Sequence, residues 1–392
     1  MKQLIYTILL CSTALSAQTV VPLFDSRIIA TAVPFLQLST DAYSLGMGEM
    51  GVATPPNVFS QQWNAAKYVF ANESTGIGLS YAPYLNSLVN DMSLGNVSYF
   101  HKSKKRKSAW GASLTYFNAG EFHLSSMQQN QYVAEGVEQP FEFSTDVSYS
   151  LPLSPHWAMG VTMRYIHSDL SVNNQTERLR VHSFATDIAA YFSSEIIAYN
   201  RFWGKYNFGL QIAHLGTKVK YTDLGRESFL PTTLKIGTGY SFIFDNQDNF
   251  SIYLEAKKLL VPTPPQYGFV DKNNNGQQDL NEPMTIIAGK NPNISFLSGI
   301  FQSFSDAPGG LKEELQEVAY SVGVSYEFEE ALLLGAGFYN ESEQKGARKF
   351  FTLGVGFHKA NYHIHLSYLF SVSKIANPFE KGLRVSLALM NL

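Results

Sequence analysis

Period two is what constrains this chain most. Over its last third, Glu317 to Leu392, apolar residues alternate with small or polar ones through five consecutive segments. In the final segment Leu383, Val385, Leu387 and Leu389 fall on one face, and Arg384, Ser386 and Ala388 on the other. Just before it, Tyr362, Ile364, Leu366 and Tyr368 alternate with His363, His365 and Ser367. Side chains that point to opposite faces in turn are the mark of a strand. The apolar face is aromatic-rich and the other carries Gly, Ser, Thr, Asp, Glu and Arg. That is apolar-out and polar-in, the reverse of a soluble barrel, and predicts the closing segment of a transmembrane antiparallel β-barrel.

Composition narrows the alternatives. Charged residues make up 16% of the 392 residues, against about 25% in an ordinary soluble domain. Tyr (22) and Phe (28) are abundant, as interfacial aromatic girdles require. A net charge of −3 argues against nucleic-acid binding, which needs a basic face. No apolar run in the mature chain is long enough for a spanning helix. A membrane location therefore requires a closed barrel, the other structure that satisfies every backbone group in lipid.

The alternation predicts about fourteen strands, at 76–83, 92–102, 108–118, 140–151, 156–168, 181–193, 205–215, 231–244, 249–259, 317–329, 331–340, 348–358, 361–371 and 382–392. An even number is usual for bacterial single-chain barrels. Short turns (103–107, 152–155, 245–248, 330 and 359–360) alternate with longer connections (119–139, 169–180, 216–230, 260–316 and 372–381). Short turns are expected on the periplasmic side and long loops outside. With both termini placed in the periplasm, the largest insertion, 260–316, faces outside, where function tends to sit. The connection 194–204 is long for a periplasmic turn.

Before the strands, Lys2, the apolar Leu4–Leu10 and the small residues of Ser12–Ala17 read as a signal peptide over 1–17. The single cysteine, Cys11, lies within it, so the mature chain is expected to lack disulfides. Residues 18–75 do not alternate. They hold Pro22, Pro34, Pro55, Pro56 and the cluster Gly46-Met-Gly48-Glu-Met-Gly51. They are read as an N-terminal plug or periplasmic segment for a barrel spanning 76–392, since more than about eight strands leave a lumen to fill.

Asp271 to Glu282 matches the twelve-residue calcium loop. Asp271, Asn273 and Asn275 would give side-chain oxygens, Gln277 its carbonyl, Asp279 a water-mediated contact and Glu282 both carboxylate oxygens, with Gly276 at the sharp turn. Pro262, Pro264, Pro265 and Pro283 replace the usual flanking helices. Ca2+ is thus a possible structural ion on the outer loop. His363 and His365 share an inward face with His358 nearby, a spacing able to chelate metal. No further ligand can be placed, so these histidines are read as lumen-lining polar residues. Lys104 to Lys107 is read as a solvated basic turn at the periplasmic rim. Leu311 to Glu317 reads as a short helix covering the mouth. Phe301, Phe304, Leu311, Glu313 and Glu314 are the candidate partner-binding residues, aromatics as anchors and carboxylates for pairing. No catalytic triad, phosphate loop or paired-carboxylate site stands out, so the chain is read as non-enzymatic.

Phe35–Thr54, Asn57–Tyr68, Leu88–Asp91, Pro262–Pro265, Gly289–Asn293 and above all Gly299–Glu317 (G-I-F-Q-S-F-S-D-A-P-G-G-L-K-E-E-L-Q-E) resemble the PorV (LptO) family of the type IX secretion system, a member of the FadL-like outer-membrane barrels. The resemblance covers essentially the whole mature chain. It implies a fourteen-strand barrel in the outer membrane that acts as a shuttle. Such a barrel binds the C-terminal signal domain of cargo at the translocon barrel. It then delivers the cargo to a sortase-like surface protease and attachment complex, which links it to lipopolysaccharide. Two rivals follow from the same resemblance: a FadL-like channel for hydrophobic small molecules, and, from the family's alternative name, a lipopolysaccharide deacylase with no nucleophile to nominate.

Overall fold

The computed structural model describes residues 19–22, 27–84, 91–105, 107–128, 131–170, 180–221, 225–244, 247–272, 275–373 and 381–391. Fourteen long strands form the wall. The first seven are β1 (Thr75–Tyr84), β2 (Met92–Lys102), β3 (Ala109–Asn118), β4 (Phe141–Pro152), β5 (Trp157–Asp169), β6 (Val181–Ser193) and β7 (Trp203–Gly216). The others are β8 (Thr233–Ile243), β9 (Asn249–Leu259), β10 (Val318–Phe328), β11 (Leu332–Asn340), β12 (Lys349–Lys359), β13 (Tyr362–Ser371) and β14 (Lys381–Met390). Each pairs antiparallel with its sequence neighbours. β1 also pairs with β14, Gly76 opposite Met390, and β6 with β7, Asn207 opposite Ser193, so the sheet closes on itself. The predicted strands are found within two residues of their expected ends.

The alternation resolves as expected. Tyr81, Trp110, Val147, Met163, Phe184, Leu353 and Tyr362 point outward and are more than half exposed, while Ser80, Ser148, Thr162, Arg164, Asp187 and Ser386 point inward and are buried. The connection 194–204 is a small hairpin: Ile197–Ala198 pairs back on Trp203–Gly204. Its ring pair Tyr199–Phe202, with centroids 4.9 Å apart, continues into Phe242. An aromatic cluster at this rim is what the lipid–water interface favours, which accounts for the extra length. The connection 119–139 holds a second antiparallel hairpin, Phe122–Gln128 with Gln131–Glu138.

Residues 27–74 run through the lumen. Ala42 donates its amide to Ser386 Oγ (2.9 Å) and Gly48 to Thr352 Oγ1 (2.8 Å). Gly51 and Val52 both donate to Glu255 Oε2 (2.9 Å), and Ser150 Oγ donates to the Ala65 carbonyl (2.8 Å). The partners come from β14, β12, β9 and β4, so the wall holds the segment from several sides through its backbone polar groups. The glycine cluster is a close-approach device. A Cβ on Gly337 of β11 would come within 2.1 Å of Gly48 N and the Met47 carbonyl carbon. Glycine on the wall lets the two backbones touch.

One expectation is corrected. The N-terminal segment does not start at the short-turn rim. Thr19–Pro22 pairs with Gln266–Asp271 of the largest loop, which pairs in turn with Met284–Ala288. Arg27 binds Glu313 of the same loop, and Ala32 N donates to Phe229 O. The described N-terminal residues thus lie at the long-loop mouth, and residues 27–74 cross the lumen to enter β1 at the opposite rim. No local pattern signals this, because the strand partner lies roughly 250 residues away.

Candidate partner surface at the outer mouth

The loop between β9 and β10 forms a cap on the long-loop mouth. Two short helices follow its hairpin: α1 (Phe296–Gln302), capped by Ser295 Oγ accepting from Ser298 N at 3.3 Å, and α2 (Leu311–Gln316), entered through Gly310 at φ +64°.

A buried ion-pair network ties the cap down. Lys345, 3% exposed, donates to Glu313 at 2.7 Å and Glu317 at 2.9 Å. Lys258 of β9 donates to Glu314 at 3.1 Å and Glu317 at 2.5 Å. Arg27 Nη1 reaches Glu313 Oε2 at 2.8 Å. The remaining lone pairs are filled by amides and a hydroxyl. Asp306 N and Ala307 N donate to Glu314 Oε1 (2.7 and 2.9 Å), Gly309 N to Glu313 Oε2 (2.7 Å) and Thr263 Oγ1 to Glu317 Oε1 (2.6 Å). Burial alone would raise the Glu317 carboxyl, but hydrogen bonds from Lys258, Lys345 and Thr263 hold it below the usual carboxylate range. Asp306 goes the other way: burial, only partly offset by Gln302 and Thr263, raises it to about 6.

This geometry corrects the reading of two site residues. Glu313 and Glu314 are 4% and 9% exposed, and their carboxylates are engaged within the chain. They anchor the cap and do not face a partner. Phe301 (76%), Phe304 (51%) and Leu311 (76%) are turned to the outside, joined by Leu297 and Leu315, which sequence reading passed over. Leu311 and Leu315 are one helical turn apart, so α2 is inside out: its carboxylates face in and its leucines face out. The i, i+4 leucine spacing was the available signal.

The calcium-like loop closes on itself. Asp271 Oδ1 accepts from Asn275 N (3.2 Å) and Oδ2 from Gly276 N (2.8 Å), while Asn275 Oδ1 accepts from Gln277 N (2.7 Å). Glu282 Oε1 accepts from Lys272 N (2.7 Å) and Oε2 from Asp279 N (3.1 Å). Gly276 has φ +72°. Asn273 lies outside the described residues. At the short-turn rim Lys104 and Lys105 are exposed, and His358, His363 and His365 come together on the lumen face.

Comparison with known proteins agrees with this architecture. The P. putida toluene transporter TodX is 10% identical, with 91% of this chain and 99% of TodX covered at a TM-score of 0.50. The Ralstonia pickettii toluene transporter TbuX is also 10% identical, covering 91% and 98% at 0.47. At 10% identity the likeness to TodX shows the fold alone. No curated protein matches the chain. The family described as type IX secretion system protein PorV matches residues 22–266, well over half of the chain. The chain belongs to the PorV family of the type IX secretion system and is a β-barrel of the outer membrane.

Proposed function

We propose that this barrel is a non-enzymatic shuttle that receives the C-terminal signal domains of type IX cargo at its outer mouth. It would take them from the translocon barrel and present them to the sortase-like attachment complex at the cell surface. The observation that carries the reading is the cap. Leu297, Phe301, Phe304, Leu311 and Leu315 are each more than half exposed, on two short helices and the turn between them, which an internal salt network holds in place. Large apolar side chains on a pre-ordered support suit the centre of a protein interface. The rival, a channel for hydrophobic small molecules, rests on fold alone, and residues 27–74 run through the lumen such a channel would need.

The test is the double variant Phe301→Asp/Leu311→Asp. Both side chains face outward, so barrel folding, read as heat-modifiable gel mobility, should be unchanged. Surface display of cargo should fall at least tenfold, with cargo retained in the periplasm or released uncleaved. Normal display by the folded variant would defeat the proposal.

We also infer that Ca2+ orders the loop 271–282. The support is the turn around Gly276 and the two gathered carboxylates, Asp271 and Glu282, 4% and 6% exposed. At ten times its dissociation constant the ion would stabilise the loop by about 1.4 kcal/mol. Chelation should speed proteolysis within 271–282 and leave the wall intact. An Asp271→Asn variant should cleave at the chelated rate with or without Ca2+.

A further inference from the structure

At the rim opposite the cap, three imidazoles meet. β12 ends on Phe357-His358-Lys359 and β13 begins Tyr362-His363-Ile364-His365. Antiparallel register sets His358 directly across from His363. Because Phe357, Tyr362 and Ile364 take the lipid face, all three histidines fall on the lumen face. The His358 and His363 rings stack with centroids 4.1 Å apart, and the His358 and His365 centroids are 5.1 Å apart. One nitrogen from each ring lies within 4.8 Å of the others.

We propose that His358, His363 and His365 form a binding site for a borderline transition-metal ion of the Zn2+ type, with Glu327 orienting His358. The distances carry this. His358 Nε2 is 3.3 Å from His365 Nε2. Two ligand nitrogens on a tetrahedral zinc, each about 2.0–2.1 Å from the metal, are about 3.3–3.4 Å apart. That pair therefore already spans one edge of the coordination polyhedron, and a modest ring rotation brings His363 to the third corner. Glu327 Oε1 sits 3.2 Å from His358 Nδ1. A carboxylate on the far nitrogen is the usual outer support of a metal-bound histidine. It fixes the tautomer that presents Nε2 and raises its basicity.

The surroundings leave room for this and hold it in place. A Cβ on Gly356 would meet His365 Nδ1 at 2.5 Å, so glycine there makes space for the ring. Tyr43, from the segment inside the lumen, packs edge-on against His365 with centroids 5.4 Å apart and planes at 84°. Three neutral nitrogen ligands select zinc, cobalt, nickel or copper over calcium or magnesium, which prefer oxygen. The fourth position would be taken by water. A metal here would cross-link β12 and β13 beneath Tyr43 and stiffen the base of the lumen segment. None of this depends on the cargo-binding reading of the cap.

The test uses the full-length mature barrel, purified in detergent without a polyhistidine tag and stripped of metal. Co2+ is the probe, added in excess Ca2+ so that the oxygen-rich loop at 271–282 is saturated. The expected result is one Co2+ per barrel with the visible absorption of a tetrahedral nitrogen site, displaced by one equivalent of Zn2+. Glu327→Gln should weaken binding about 10–100-fold, and the triple variant His358→Ala/His363→Ala/His365→Ala should abolish it. Heat-modifiable mobility reports that each variant is folded. Equal Co2+ binding by wild type and folded triple variant would overturn the proposal. Should the triple variant not fold, a wild type without an equimolar site, or Glu327→Gln binding as tightly as wild type, would overturn it instead.

Discussion

The wall and the cap both turn apolar side chains outward and bury polar ones, but different groups hold each together. In the wall the outer face is apolar and the held groups are backbone amides, each strand bonded to a neighbour that is close in sequence or meets it at ring closure. In the cap the buried groups are Glu313, Glu314, Glu317, Lys258 and Lys345, and the outward ones are Leu297, Phe301, Phe304, Leu311 and Leu315. Lipid accounts for the first arrangement, because a closed sheet exposes no unpaired backbone groups to it. It does not account for the second, whose apolar residues sit on two short helices and the turn between them, outside the strands. The cap therefore has a stability of its own, electrostatic and long-range, and the comparison fails if the two regions cannot be unsettled separately.

The sharpest separation is at Lys345. It joins Glu313 and Glu317 to the barrel through the connection after β11. Removing one partner of a buried pair leaves the other charges uncompensated, at a cost of about 3–5 kcal/mol. Lys345→Ala is expected to release residues 296–317, seen as rapid deuterium uptake and new proteolytic cuts there, with unchanged heat-modifiable mobility. If the barrel's unfolding midpoint falls along with cap protection, wall and cap are one cooperative unit.

That division also marks how far the sequence could be read. The fourteen strands and their lipid faces were legible because period two is local: Leu383, Val385, Leu387 and Leu389 declare a face without reference to any other residue. Glu313 and Glu314 were not legible. Their partners Lys345, Arg27 and Lys258 lie 32, 286 and 56 residues away, and nothing near Glu313 shows that it will be buried. The pairing of Thr19–Pro22 with the outer loop was hidden for the same reason. The histidine cluster falls between these cases. His363 and His365 were visible by spacing and His358 by proximity, but Glu327 enters only through barrel register.

A second perturbation should act on the wall and leave the cap in place. Gly337→Val puts side-chain atoms where Gly48 N and the Met47 carbonyl carbon already stand, 2.1 Å from an ideal Cβ. Neither is a flexible tip, so the lumen segment must shift, at a cost of about 1–3 kcal/mol. The expected outcome is raised single-channel conductance in planar bilayers and faster exchange over residues 45–52, with residues 296–317 still protected. Wild-type conductance would mean that the glycine contact does not hold the segment in place.

The smallest effect is the most specific to the cap, because Asp306 and Glu317 lie outside the strands and respond to pH in opposite senses. The Asp306 carboxyl is raised from 3.8 to about 6. Between those values the folded cap binds more protons than the unfolded chain, so its stability falls as pH rises through the window. Glu317 is held below its ordinary 4.5. Its contribution is present above 4.5 and is lost as pH drops through the lower folded value. Cap protection, measured by deuterium uptake corrected for chemical exchange, should therefore peak between about pH 3.8 and 4.5 and decline on both sides. Asp306→Asn should flatten the alkaline limb alone, since the amide stays neutral and can still accept from Thr263 N, now 3.2 Å from the carboxylate. A profile that is unchanged in the variant would move the pH response elsewhere in the network. A wall that titrates in step with the cap would join two regions that strand pairing and the buried salt network hold separately.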